Sequence, residues 1–149
     1  MKRHIGLMAL ILMVVGLAVA PTKAQSPRGV RAEVPFDFIV GNKTLPAGKI
    51  TILRMTSGEA GPLSITNLED SQVALRMGRM MNSTDASDQG KLVFRRYGNR
   101  HYLAQVWIPG YRAIEVIKSN NERALEKELR LVKNQNHKPN LVTVFALIP

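Results

Sequence analysis

Apolar and polar residues alternate along much of the chain, which is the pattern of half-buried β-strands. Between residues 30 and 40 every even-numbered position is apolar: Phe36 and Phe38 are aromatic, and the others are Val or Ala. Pro35 indicates a bend or a sheet edge. Turn-forming residues follow at Gly41–Lys43 and again at Pro46–Gly48. Further short strands are separated by turn signals at spacings of about 8–12 residues. This pattern predicts a mainly β fold, an antiparallel β-sandwich or a small β-barrel of about seven to nine strands.

Residues 91–108 predict a β-hairpin, because two apolar arms flank Gly98–Asn99. This dipeptide suits a two-residue turn in which a residue adopts a positive φ. Strand alternation then fixes which side chains lie opposite one another. We expect these cross-strand pairs: Tyr97 with Arg100, Phe94 with Leu103, and Arg95 with Tyr102.

One late α-helix is predicted over residues 119–133. Ser119 and Glu122 match the Ser-x-x-Glu capping box, and Glu126 can pair with Arg130 one turn further on. The helix presents a single apolar stripe, formed by Leu125, Leu129 and Val132. Residues 141–148 are then almost continuously apolar, which predicts a closing strand at the centre of the sheet, buried on both faces.

The N-terminus has the layout of a secretory signal peptide. Basic residues 2–4 precede an uncharged apolar run over residues 5–20, which is shorter than the ~20 residues that a membrane-spanning helix needs. We expect cleavage after Ala24, giving a signal peptide of residues 1–24 and a single β-rich domain of residues 25–149. Cleavage after Ala20 is the alternative, although it would leave Pro21 at the new N-terminus. An uncleaved membrane anchor is the other interpretation.

Composition narrows the classes of function. The 149 residues include 21 Lys and Arg against 11 Asp and Glu, a net charge of +10, and cleavage after Ala24 would reduce this to +7. The chain has no cysteine, which excludes disulfides, a thiol nucleophile and cysteine-based metal sites. Export to the periplasm or the extracellular space makes nucleic acid an unexpected partner. The expected partners are anionic envelope polymers or lipid headgroups, although the charge could also serve solubility alone.

Three stretches resemble a family of small exported bacterial proteins to which no activity is assigned. They are Val-Pro-Phe-Asp-Phe-Ile-Val-Gly-Asn-Lys-Thr-Leu-Pro-Ala-Gly-Lys at residues 34–49, Lys-Leu-Val-Phe-Arg-Arg-Tyr-Gly at residues 91–98, and Trp107. The similarity covers roughly residues 34–108. The resemblance implies export and a β fold, and it carries over no catalytic residue.

Catalytic signatures are scarce, so we expect neither an enzyme nor a bound metal or cofactor. Once His4 is removed with the signal peptide, His101 and His137 remain, and neither has the short spacing to another ligand that zinc sites show. No Gly-x-Ser-x-Gly nucleophile elbow occurs. A small hydrolase that depends on Asp37, His101 or His137 is therefore the least favoured interpretation.

A basic, aromatic segment at residues 95–102 is the best candidate for binding, because arginine and tyrosine side chains can together hold phosphate, carboxylate or a sugar face. The candidate ligand-binding residues are Arg95, Arg96, Tyr97, Arg100, Tyr102 and, further along, Trp107. A solvated hairpin tip with Arg–Tyr packing is the structural alternative. Arg76 and Arg79 lie among Met77, Met80 and Met81 and are candidates for a second, more adaptable binding surface. The alternative is that these methionines fill gaps in the core.

The sequence thus favours an exported, non-enzymatic binding module of the cell envelope, whose partner is anionic or a carbohydrate. The alternative is a structural or assembly protein that self-associates or pairs with another chain by strand addition.

Overall fold

The computed structural model describes residues 29–82, 87–133 and 139–149. The predicted signal peptide, the four residues that follow it and His137 lie outside these ranges. Within them the protein is mainly β, with ten strands and a single late helix, which confirms the predicted fold class. The strands outnumber the predicted seven to nine, and the sheet is not closed into a barrel.

The strands are, in chain order, β1 (Gly29–Val34), β2 (Phe38–Val40), β3 (Lys43–Leu45), β4 (Gly48–Arg54), β5 (Ala60–Asn67), β6 (Val73–Met80), β7 (Gly90–Tyr97), β8 (Arg100–Trp107), β9 (Ile114–Val116) and β10 (Asn140–Ala146). The helix α1 (Asn120–Lys133) lies between β9 and β10.

All ten strands belong to one sheet, in the order β1-β4-β5-β6-β9-β8-β2-β3, with β7 pairing β8 and β10. The pairs are antiparallel except for β2 and β8, which meet in parallel at Ile39 and Tyr102. Beyond β10, the backbones of Leu147 and Arg31 exchange two hydrogen bonds of 2.7 Å. This bridge brings the end of β10 against β1.

Alternation along the strands places one apolar face of the sheet in a common core. In β1, for example, Val30, Ala32 and Val34 are buried while the residues between them are exposed. The rings of Phe36 and Phe38 meet that of Phe94 edge-on, with centroids 5.2 and 5.3 Å apart. Burial of a large apolar side chain contributes about 1.5–3 kcal/mol, so this core accounts for much of the fold's stability.

The β7–β8 hairpin has the predicted register. Gly98 at the turn adopts φ 60°, as a two-residue turn with glycine in its first position requires. A β-bulge between Val93 and Phe94 shifts the pairing further from the turn. The three predicted pairs are all present: Tyr97 with Arg100, Phe94 with Leu103, and Arg95 with Tyr102.

The prediction of a central closing strand is wrong. The strand β10 has β7 as its one strand partner among the described residues, and its outer face is in solvent. Leu141 is 63% exposed and Phe145 is 71% exposed. The alternate residues Val142 and Val144 pack against the core, so the run is half-buried although nearly all of it is apolar.

The helix begins and ends where the sequence predicts. The Ser119 hydroxyl accepts a hydrogen bond from the backbone N–H of Glu122 at 3.1 Å, which caps the first turn. Glu126 pairs with Arg130 at 3.0 Å, also as predicted. The apolar stripe is only partly covered: Leu125 and Leu129 are half-buried, and Val132 is 76% exposed. No helix of the described residues is long and apolar enough to cross a membrane.

Candidate ligand-binding site at the β7–β8 hairpin

The helix α1 is fixed to the hairpin by a buried ion pair. The guanidinium of Arg95 on β7 donates two hydrogen bonds to the carboxylate of Glu122, at 2.5 and 3.2 Å. Both side chains are buried. Arg95 is therefore held inside the protein, where its charge is neutralised by Glu122.

Tyr97 completes this buried cluster. Its hydroxyl donates to the Glu122 carboxylate at 3.5 Å. Burial of the hydroxyl, followed by the negative charge of Glu122, raises the pKa of Tyr97 to about 12. The phenol therefore stays neutral at physiological pH and serves as a hydrogen-bond donor. Its ring meets that of Tyr102 edge-on, with centroids 5.7 Å apart.

A groove of about 400 Å³ opens beside this cluster, between the β2–β3 turn and α1. Such a volume is within the range of about 300–1,000 Å³ that is typical of small-ligand sites. Tyr102 lines the groove together with Arg100, and so two of the predicted binding residues come together here. The other polar residues that line it are Asn42, Thr44, Asn121 and Glu128.

The groove offers hydrogen-bond donors and acceptors side by side. Arg100 donates, Glu128 accepts, and the amides and hydroxyl of the remaining polar residues do both. Tyr102 and Leu125 add apolar surface. This combination suits a ligand whose polar groups both donate and accept hydrogen bonds. Such a ligand would also have an apolar face that can pack on the ring of Tyr102.

Arg96 lies on the other side of the hairpin. Directly opposite pairs alternate between the two faces of a sheet, so Arg96 and Arg100, in adjacent pairs, project in opposite directions. The Nε of Arg96 donates to the carbonyl of Gly98 at 2.8 Å. His101, opposite Arg96, stacks on Phe36 with centroids 4.1 Å apart. Burial and the charge of Arg96 lower the pKa of His101.

Trp107 lies at the far end of β8, about 20 Å from Arg100 at the usual rise per strand residue. The ammonium of Lys91 sits 4.2 Å from the centroid of the indole ring, and the indole N–H donates to Gln105 at 3.0 Å. Phe145 lies on the far side of Lys91 in the same cross-strand row. Trp107 thus belongs to a surface separate from the groove.

Asp37, the acid that the hydrolase interpretation singled out, caps a turn. It is exposed, and its Oδ1 accepts a hydrogen bond from the backbone N–H of Ala47 at 2.9 Å. Among the described residues, no three His, Asp and Glu side chains come together in a group that could hold a metal ion.

Sequence reasoning missed Asn42, Thr44, Asn121 and Glu128. Asn42 lies in the turn between β2 and β3, Thr44 lies on β3, and the other two lie on the helix. No local pattern marks any of them as a ligand-binding residue. The spatial adjacency of the β2–β3 turn and α1 is what brings them to Arg100.

The chain was compared with family models, with curated proteins and with solved structures, and none of them matches. The resemblance to small exported bacterial proteins therefore stays a prediction.

Proposed function

We propose that the protein is an exported, non-enzymatic binding module that takes an acidic saccharide into the groove between the β2–β3 turn and α1. The observation that carries the proposal is the meeting of Arg100 and Tyr102 in a groove whose other polar groups both donate and accept. A sugar ring has the same two properties, since its hydroxyls donate and accept while its C–H face packs on an aromatic ring.

The charges of the groove favour a saccharide over a densely charged polymer. Arg100 and Glu128 are the charged side chains among its described lining residues, so they balance. A polyanion would be repelled by Glu128, whereas a sugar could place one carboxylate near Arg100 and a hydroxyl near Glu128. Arg100 has no salt-bridge partner among the described residues, which leaves its guanidinium available for a carboxylate.

Arg95 and Tyr97 act here as support for the groove. Their contacts with Glu122 hold α1 against the hairpin, and α1 supplies one wall of the groove. The ligand contacts are assigned to Arg100 and Tyr102. Arg96 and Trp107 lie on other surfaces and are not required for binding in this proposal.

The test is a binding titration with defined saccharides. The full chain is expressed in a bacterial host, and the protein recovered from the periplasm is titrated by calorimetry with galacturonic acid, which carries one carboxylate, and with galactose, its neutral counterpart. We expect galacturonic acid to bind more tightly, and Arg100→Ser to remove that preference with a loss of at least about tenfold in affinity, as expected for a charge-assisted hydrogen bond.

Arg96→Ser is the matched control, because it removes the same residue type from the opposite face of the same hairpin. It should bind galacturonic acid as the parent does. Equal losses in the two variants would assign binding to the general charge of the hairpin instead of the groove. The absence of any saccharide binding by the folded parent would refute the proposal.

Export is tested with the same preparation. The intact mass of the periplasmic protein should correspond to a chain that begins at Gln25, in agreement with cleavage after Ala24. A mass that begins at Pro21 would identify the alternative cut. Retention of the full-length chain in the membrane fraction would show that the N-terminal segment is an uncleaved anchor.

A further inference from the structure

The outer face of the β4–β6 region carries a set of exposed apolar side chains. We name it the β4–β6 apolar face, and it consists of Leu53, Met55, Val73, Leu75, Met77 and, on the adjoining chain after β9, Ile117. Leu75 is the most exposed of them, at 66%. Contiguous apolar patches of this kind on soluble proteins mark interaction sites more often than scattered apolar residues do.

The strand register shows that these side chains are contiguous. Leu53 on β4 and Leu75 on β6 lie in one row, on either side of Ser64 on β5. In the next row on this face, Met55 and Met77 flank Pro62. Two apolar ridges therefore run along β4 and β6, with a shallow trough of smaller side chains along β5 between them.

Charged side chains of both signs surround this face. Arg79 donates two hydrogen bonds to Glu115, at 2.8 and 2.9 Å, at one end, and Glu33 lies opposite Lys49 at the other. Arg31 points its Nε at the hydroxyl of Thr51, at 3.3 Å. An excess of cations around the face would attract an anionic lipid surface. The basic and acidic residues of this rim instead nearly balance, although the protein as a whole is basic.

We infer that the β4–β6 apolar face is the interface between two copies of this chain. Ridges that flank a trough can interdigitate with an identical face rotated by a two-fold axis, and the balanced rim allows two copies to approach without repulsion. The face covers roughly 300 Å² in projection at normal strand spacing. This area is a substantial part of the apolar centre of an interface that buries about 800 Å² per partner.

The inference is independent of the saccharide proposal, because the groove beside α1 lies on other strands. Its test is sedimentation velocity of the protein purified after expression of the full chain, measured over a concentration series. We expect a concentration-dependent shift from monomer to dimer. Leu75→Lys should raise the dimer dissociation constant at least about 100-fold, since a two-fold interface loses the residue twice and gains two like charges.

Leu141→Lys is the matched control, because Leu141 is an equally exposed strand leucine (63%) on β10, away from this face. It should dimerise as the parent does. Circular dichroism checks that each variant is folded, and Leu53→Lys replaces Leu75→Lys if the latter is not.

Any of four results would overturn the inference. The parent could sediment as a monomer at every concentration, the substituted face could still dimerise with the parent's affinity, or Leu141→Lys could be the variant that abolishes dimerisation. Binding of the monomeric parent to phosphatidylglycerol vesicles, lost in Leu75→Lys, would assign the face to a lipid surface instead and would equally overturn it.

Discussion

Arg95 and Glu122 join the central hairpin to the helix through a buried, doubly hydrogen-bonded ion pair. Because the two residues come from β7 and from the first turn of α1, the pair holds the start of the helix against the hairpin. Ser119 caps the same turn, and Tyr97 donates to the same carboxylate. One wall of the groove therefore depends on a cluster of four side chains.

Removal of one partner of this pair should be costly. Arg95→Met leaves the Glu122 carboxylate buried without its counter-charge, and we expect the free energy of unfolding to fall by about 3–5 kcal/mol. Urea denaturation followed by circular dichroism measures the change. Arg95→Met combined with Glu122→Leu should recover much of the loss, because it removes the uncompensated charge as well.

The exposed pair Arg79–Glu115 provides the control, since the Arg79 side chain is 66% exposed. Arg79→Met should lower stability by less than about 1 kcal/mol. Equal effects of Arg79→Met and Arg95→Met would contradict the structural role assigned to Arg95.

The helix cap gives a second prediction. Ser119→Ala removes the acceptor of the Glu122 N–H, and stability should fall by about 1 kcal/mol. Ser57→Ala, at an exposed loop position, should change stability by less than about 0.5 kcal/mol. Both values come from the midpoint of urea unfolding. A neutral Ser119→Ala would show that α1 is held by its sheet contacts alone.

Alkaline pH should destabilise the protein through Tyr97. Its pKa of about 12 in the folded protein exceeds the value near 10 of an unfolded tyrosine. The folded state therefore favours the neutral phenol, and the associated stability is complete below pH ~10 and is lost as the pH rises toward ~12. Urea unfolding between these pH values should show a steeper decline in the parent than in Tyr97→Phe. Identical slopes would contradict the burial of this hydroxyl against Glu122.

Trp107 is the only tryptophan of the chain, so its fluorescence reports on one surface. If saccharide enters the groove beside α1, the emission spectrum should stay unchanged on saturation, because Trp107 lies about 20 Å away along β8. Lys91→Ala, which removes the cation over the ring, should alter the spectrum without ligand. A ligand-induced shift in the parent that is absent in Lys91→Ala would place the ligand on the Trp107 surface.

Local sequence signals predicted the local structure well. The turn at Gly98–Asn99 determined the hairpin register, because strand alternation leaves little freedom once the turn is fixed. The capping pattern at Ser119 likewise located the start of the helix. These features are encoded by neighbouring residues, and they are the ones that the structure confirms.

Features that depend on distant segments were not predictable. The apolar run at 141–148 is compatible with burial on one face or on two, and the covering elements decide between them. Arg95 looked like a surface residue because nothing near it in sequence shows that Glu122 lies 2.5 Å away. The groove residues Asn42 and Asn121 meet only through the fold.

The bridge between Arg31 and Leu147 has a consequence for the order in which the chain folds. The hairpins β4–β5, β5–β6 and β7–β8 join residues close in sequence and can form early, whereas this bridge closes a loop that spans nearly the whole described chain and must await them. Until it closes, the edges of β1 and β10 are both unpaired and available to other molecules. Refolding should therefore be most vulnerable to strand exchange at this seam, with yields that fall as protein concentration rises.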